Sequence, residues 1–416
     1  MIVIKLIIII YLLATFAPIL TYFLEKKYKT KLTKIKPINY LDIYVLLPCY
    51  KEQKIVSDTI NWFKQFKYKG NIKFILATTE KEDSNKTDEL TTKEVIIEEL
   101  KKINDKRFIN IHYPYTEGNK STQMNYALEV LKDEIKDNAF ISVFDFDSRP
   151  ELNTFDNLNK VYNLQNKPDV INQVPLNISN FELISKSNIL MIIYTLQHLV
   201  RSIAIEKIKL LLCSLTNLKI SQYCMGACMH IKYKTLKENN FFPIFVDDLT
   251  LGYRLSIKGA RFAYLPSVNL NLIYNDIKGY IGSSTLIFKG ISTYLTEIKN
   301  IKGFIWGKIK MFIFGTLNII EFILIPIIFI YLYIYSFIKF DIYSLISILI
   351  PIFWSISSLS VIKYNKINFN KTKTLLAIFF SPIWFIFRPL GFVSYLIKKV
   401  KSILNKSNIE YKKTER

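Results

Sequence analysis

The sequence predicts an α/β domain carried between apolar spans that suit a lipid bilayer. Three observations predict it. Between residues 38 and 305, apolar runs of strand length alternate with apolar stripes at helical spacing. Two of those runs lead into paired acids, Phe144-Asp145-Phe146-Asp147 and Val246-Asp247-Asp248-Leu249. Apolar stretches of about 20 residues, the length a bilayer core requires, lie before and after this region.

Residues 1–24 form the first element, apolar from Ile2 to Leu24 with one charge, Lys5. The stretch has no small-x-small cleavage site and its positive charge follows the apolar run, so it reads as a retained anchor and not a signal peptide. Residues 25–37 read as a basic linker carrying Lys26, Lys27, Lys29, Lys31, Lys34 and Lys36. Lysines beside a span face the cytoplasm. This places the α/β domain on the cytoplasmic side of the inner (plasma) membrane.

Within 38–305, Asp42–Leu47 reads as a strand buried on both faces and ended by Pro48. Val56, Ile60 and Phe63 recur at helical spacing, and Ile72–Ala77 is the next strand. A polar loop, Thr78–Thr92, leads to a short helix at Glu94–Lys101 and a strand at Phe108–His112. Met124, Ala127, Leu128 and Leu131 mark a further helix, and Ala139–Phe144 a strand running into the first acids. Strands at Asp169–Val174, Gln222–Ile231 and Arg261–Leu265, a helical stretch at Leu183–Leu212, and a helix at Asp248–Ser256 with an acid at its cap complete the domain. Such alternation predicts a parallel sheet covered on both sides, with Pro48, Thr78–Glu80, His112 and Asp145–Asp147 lining one cleft at the strand ends.

Residues 306–397 form a membrane region, with spans near 311–337 and 341–362 and a third stretch from Leu375 to Ile397. Pro382, Arg388, Pro389 and Gly391 interrupt that third stretch. A full crossing would send the basic tail, 398–416, outside against the charge rule. A broken or re-entrant segment keeps it inside.

The net charge of +22 invites a nucleic-acid reading, but the excess lysines sit beside the apolar spans and suit anionic headgroups instead. No nucleic-acid partner is expected. Cys49, Cys213, Cys224 and Cys228 are expected as reduced, buried thiols, because Cys224-x3-Cys228 has no second ligand pair for zinc. His112, His198 and His230 stand at no metal-ligand spacing. Glu321, inside an apolar segment, is a costly placement of the kind that is often functional; it is read as lining an acceptor path or as sitting near the interface.

The first acid pair suits a divalent cation carrying a diphosphate, since hard cations take carboxylate oxygens. The second suits a general base acting on an attacking hydroxyl. As a set, the motifs resemble family 2 glycosyltransferases, in the membrane-bound branch with cellulose, chitin and hyaluronan synthases, over about residues 45–290. Pro48-Cys49-Tyr50-Lys51-Glu52 resembles the opening proline-x-aromatic-Asn-Glu turn, with Lys51 at the asparagine. Gly118-Asn119-Lys120 and Gln123–Leu128 resemble the Gly-x-Lys…Leu-Asn-x-Ala-Leu segment. Asp145-Phe146-Asp147 matches the D-x-D, Gly226-Ala227-Cys228 the small-residue acceptor turn, and Asp247–Leu255 the acidic pair with its helix.

The resemblance implies a GT-A fold and an inverting transferase that uses a nucleotide-sugar donor, most simply a UDP-sugar, and an acceptor that is lipid-linked or a surface glycan. It assigns Asp147 and Asp145 to Mg²⁺ or Mn²⁺, Lys120 to the diphosphate, and Asp248 to the base with Asp247 supporting it. Substrate contacts fall to Pro48, Tyr50, Glu52, Glu80, Asp145, Gly226 and Arg254. The polymer-making branch also carries Gln-x-x-Arg-Trp after the acidic helix. The matching stretch here, Ser283-Ser284-Thr285-Leu286-Ile287, has none of the three residues, so release after one or few additions is expected. A processive polysaccharide synthase is the rival reading. A membrane transporter or scaffold with an inactive transferase domain is the rival from another class.

Overall fold

The computed structural model describes residues 2–37, 39–83, 90–165, 167–216, 218–244, 246–339 and 341–404. Two helices, α1 (Ile2–Ala14) and α2 (Ala17–Thr33), come first. Strands and helices then alternate: β1 (Ile43–Pro48), α3 (Val56–Lys64), β2 (Ile72–Thr79), the single turn α4 (Glu80–Asp83), α5 (Thr92–Ile103), β3 (Phe108–Tyr113), α6 (Lys120–Val130) and β4 (Phe140–Phe144). β5 (Arg149–Pro150), α7 (Thr154–Leu164), β6 (Val170–Asn172) and β7 (Pro175–Asn177) follow. Next are α8 (Phe181–Ser187), α9 (Ile189–Val200), a π-helical turn over Arg201–Glu206, and α10 (Lys207–Thr216). β8 (Cys228–Lys232), α11 (Tyr233–Lys237), α12 (Asp247–Ile257), β9 (Phe262–Tyr264) and β10 (Asn269–Asn271) end the α/β region. The chain closes with α13 (Ile277–Ser292), α14 (Tyr294–Asn300), α15 (Ile305–Ile338), α16 (Ile342–Tyr364), α17 (Lys371–Phe379), α18 (Trp384–Phe387) and α19 (Leu390–Leu404).

Seven strands make one sheet in the order β3-β2-β1-β4-β8-β6-β9. β3, β2, β1 and β4 pair in parallel, as the alternation predicts, but β8 lies antiparallel between β4 and β6. Three very short strands form a second sheet, β5-β10-β7, which no periodicity in the sequence announced. β1 and β4 are apolar and buried because helices cover the sheet: Phe63 of α3 and Phe155 of α7 reach Phe74 and Phe144. Met124, Ala127 and Leu128 of α6 and Leu210 and Leu211 of α10 join the same core.

Three expected elements differ. Of the strand expected at Gln222–Ile231, only the part from Cys228 pairs in the sheet. The backbone before it bonds to α12 instead, with Gln222 bracketed by the Ser256 hydroxyl and Cys224 N–H donating to the Asp248 carbonyl. The expected basic linker is helical as far as Thr33, because Tyr28 and Leu32 bury against the α/β core and Tyr28 Oη donates to the Tyr264 carbonyl. The helical stretch at Leu183–Leu212 is divided between α8, α9, the π turn and α10.

Among the described residues, three helical segments are long and apolar enough to cross a membrane: Ile189–Thr216, α15 and α16. The first was not expected as a span, and its most apolar window is two-thirds buried within the protein (67%). Two bent pairs could each make a further span. One joins α1 to α2 at 44°; the other, Lys371–Phe379 with Ser381–Ser402, bends by 59°. That second bend, at Phe380, lies within the Leu375–Ile397 stretch where a broken or re-entrant segment was expected. Glu321 is not isolated in α15, since Arg388 donates to its Oε1 and Arg201 lies 3.8 Å away. The tail beyond 404 lies outside the described residues.

Candidate active site

β1, β2 and β4 run in parallel register, so their carboxyl ends open on one edge, where ligands of such sheets bind. The first acids leave β4 there. Asp145 Oδ1 accepts a hydrogen bond from Lys120 Nζ at 2.8 Å. Asp147 Oδ2 accepts from Leu272 N–H at 3.0 Å, which ties this acid to the end of β10. Lys120 opens α6, whose start is held by a capping box between Asn119 and Thr122.

The second acids open α12, and Gly226 joins them to the first. The Lys120 ammonium also donates to the Gly226 carbonyl at 3.1 Å, while Gly226 N–H donates to Asp248 Oδ2 at 3.2 Å. Asp248 Oδ1 accepts from Leu249 N–H at 2.7 Å. A Cβ at position 226 would lie 2.6 Å from Asp248 Oδ2, so only glycine lets the backbone approach this carboxylate. One cation and one glycine therefore bridge two acid pairs far apart in sequence.

The expected cap is not made. Val246 holds the N-cap position in a left-handed conformation (φ 48), and Asp247 and Asp248 are the first two helical residues. Their carboxylates are thus turned to other work, although the helix start still favours negative charge. Burial pushes Asp248 up to about 7, with the neighbouring Asp247 adding to the rise and Lys120 opposing it. Burial likewise raises Asp247, whose Oδ2 is buried without a hydrogen-bond partner among the described residues. Burial disfavours the Lys120 ammonium, but Asp145, Asp247 and Asp248 outweigh it and hold the group charged.

The remaining candidates divide. Pro48 ends β1, and Tyr50 and Glu52 lie in the turn after it, where Lys51 takes a left-handed backbone (φ 56). Glu80 pairs with His112 at 2.8 Å across the ends of β2 and β3. Arg254 is not brought to this cluster. It points from α12 to Glu297 of α14, with Nε 2.9 Å from Oε2.

Sequence reading passed over Glu82. Its buried carboxylate accepts from Lys51 N–H, Gln53 Nε2, and both N–H and hydroxyl of Thr92, at 2.8–2.9 Å, while Glu52 N–H donates to the same Thr92 hydroxyl. It therefore holds the Tyr50–Gln53 turn in place. An acid in a polar loop carries no sequence signal of this.

Among the described residues, no three His, Cys, Asp or Glu side chains gather closely enough to cage a metal ion. The donor set, two carboxylates at one strand end, instead fits a hard cation that brings phosphate and water oxygens of its own. All four cysteines are free and buried.

No protein-family profile matches the chain, and no curated protein matches it in sequence. Solved structures do match. One is the mannosyltransferase PcManGT from Pyrobaculum calidifontis in complex with GDP-Man and Mn²⁺, at 12% identity and a TM-score of 0.54, covering 94% of this chain and 99% of that one. The similarity is one of fold.

Proposed function

We propose that this chain is a membrane-integral, metal-dependent, inverting glycosyltransferase of the family 2 type with a GT-A domain. It moves a sugar from a nucleotide-sugar donor, a UDP-sugar in the first instance, onto a lipid-linked or surface-glycan acceptor. The observation that carries the reading is the bridge from Asp145 through Lys120 and Gly226 to Asp248. It joins a donor side with cation-binding chemistry to an acceptor side with a carboxyl poised near neutral pH. A structural neighbour bound to GDP-Man and Mn²⁺ supports the donor class.

In this reading Pro48, Tyr50, Glu52 and Glu80 meet the nucleotide, held by the turn that Glu82 organises. Asp147 and Asp145 would hold Mg²⁺ or Mn²⁺ together with the donor's phosphates, and the ion, when bound, supplies Lewis-acid neutralisation of the leaving diphosphate. Lys120 adds a fixed positive charge on the same side. Asp248 takes the proton from the acceptor hydroxyl as that oxygen attacks the anomeric carbon from the face opposite the diphosphate, which inverts the centre. Asp247 raises its neighbour's basicity and offers its unpartnered Oδ2 to a sugar hydroxyl. Arg254 acts indirectly, by tying α12 to α14 through Glu297.

The stretch 283–287 lies in α13, where Tyr274 Oη donates to Ser283 Oγ at 2.6 Å, and α19 packs on the same helix through Phe392 and Tyr395 against Phe288. No aromatic platform stands at these positions to hold a growing end, which favours release after one or few additions over the synthase reading. The test is to incubate the purified protein in detergent with a panel of nucleotide sugars, GDP-mannose included, and Mn²⁺, and to measure released nucleotide. Turnover of one donor, lost in EDTA, is expected. Hydrolysis or transfer of none sinks the transferase reading.

A further inference from the structure

Two stretches far apart in sequence meet beyond the C-terminal end of α12. One is the exposed pair Leu218-Lys219; the other is the elbow Lys299–Lys310, from the last turn of α14 into the start of α15. Lys310 Nζ donates to the Lys219 carbonyl at 3.5 Å, joining them. The elbow presents Phe304 and Trp306 to the outside, 74% and 70% exposed. Lys299, Lys302, Lys308 and Lys310 accompany them, and no acid occurs from Ile298 to Ile320. A solvated face mixes signs and does not expose an indole. Lysines interleaved with exposed aromatics at the start of the longest apolar helix suit the boundary between headgroups and water.

The elbow also seats directly on α12. A Cβ on Gly307 would lie 2.3 Å from the Ile257 carbonyl oxygen, and one on Gly303 2.6 Å from Ile257 Cγ2. What the elbow binds therefore bears on the helix whose first turn carries Asp247 and Asp248.

We propose that this elbow is a docking surface for the anionic phospholipid headgroups of the bilayer that α15 enters, and that its occupancy seats α12, so that sugar transfer depends on anionic lipid. The inference rests on the membrane-transferase reading given above. The test reconstitutes the full chain in vesicles of phosphatidylcholine alone or with about one-third phosphatidylglycerol, enough to give a negative surface potential. Two quantities are read: quenching of Trp306 fluorescence by a headgroup-level quencher, isolated by subtraction of W306F, and turnover of the donor. Anionic vesicles are expected to raise both, turnover by roughly fivefold, the gain one lysine makes near an anionic surface. K302Q/K308Q/K310Q is expected to abolish both gains, while K26Q/K27Q/K29Q on α2 keeps them. Equal quenching and turnover in the two vesicles, or a dependence that the elbow variant retains, overturns the proposal. Anionic-selective, lysine-dependent quenching without turnover of any donor keeps the docking surface and overturns the transferase reading.

Discussion

Replacing Asp248 with asparagine is expected to stabilise the ligand-free protein while stopping the reaction. Asp248 rises from an ordinary 3.8 to about 7 in the folded state, through burial first and Asp247 second. At about 1.4 kcal/mol per tenfold change, ionising it in the fold costs about 4 kcal/mol more than in the unfolded chain. A folded-state value above the unfolded one means full stability below about pH 4, lost progressively as pH rises to about 7. The amide of the variant never ionises and escapes that loss. It keeps one acceptor oxygen for the N–H groups of Gly226 and Leu249, which the carboxylate serves with two, at a cost of about 1 kcal/mol. The net gain is about 3 kcal/mol at pH 8 and falls to about 0.7 kcal/mol at pH 5. For a domain of this size that raises the melting temperature at pH 8 by about 6 °C. The assay is intrinsic-fluorescence melting in detergent with EDTA at both pH values, paired with donor turnover, which should fall about 10²–10⁴-fold. A variant no more stable than the parent at pH 8 would refute the idea that the fold holds this carboxyl against its preference.

Four further outcomes follow from the same geometry. Asp247→Asn removes the like charge beside the base, so the acid limb of kcat/KM should move to lower pH; an unmoved limb separates Asp248 from the essential base. Asp147→Asn should abolish Mn²⁺-dependent turnover while leaving melting within about 1 kcal/mol, since the Leu272 N–H keeps an acceptor; full activity in chelator would contradict the cation assignment. Lys120→Met strips the shared counter-ion from Asp145, Asp247 and Asp248, and melting should fall by several degrees at pH 8 and recover in part towards pH 5 as Asp248 protonates. Lys51→Gly relieves a left-handed backbone (φ 56) and should stabilise by up to about 1 kcal/mol; a loss of stability would show that the lysine side chain holds the turn.

Much of the fold was legible in local pattern. β1, β2 and β4 announce themselves because strands buried on both faces must be apolar throughout, and α3 and α6 because one helical face must be. The acids stood out as candidates as well, since paired carboxylates directly after an apolar run are costly to bury. Their meeting was not. Lys120 reaches Asp145 and Gly226, and Gly226 reaches Asp248, only because β4 and β8 pair antiparallel and bring the Gly226 turn beside the end of β4. Register between distant strands is set by the whole core and leaves no local mark. The same holds for Glu82, whose four donors come from the Lys51–Gln53 turn and from Thr92, and for Arg254, whose partner Glu297 lies on another helix. Composition likewise marks Ile189–Thr216 as apolar enough for lipid, and only packing decides that protein covers most of it. The sequence alone determined which residues are chemically able, because side-chain type and period are local properties. Tertiary structure decided which of them touch, because hydrogen bonds and burial depend on parts of the chain that no local window contains.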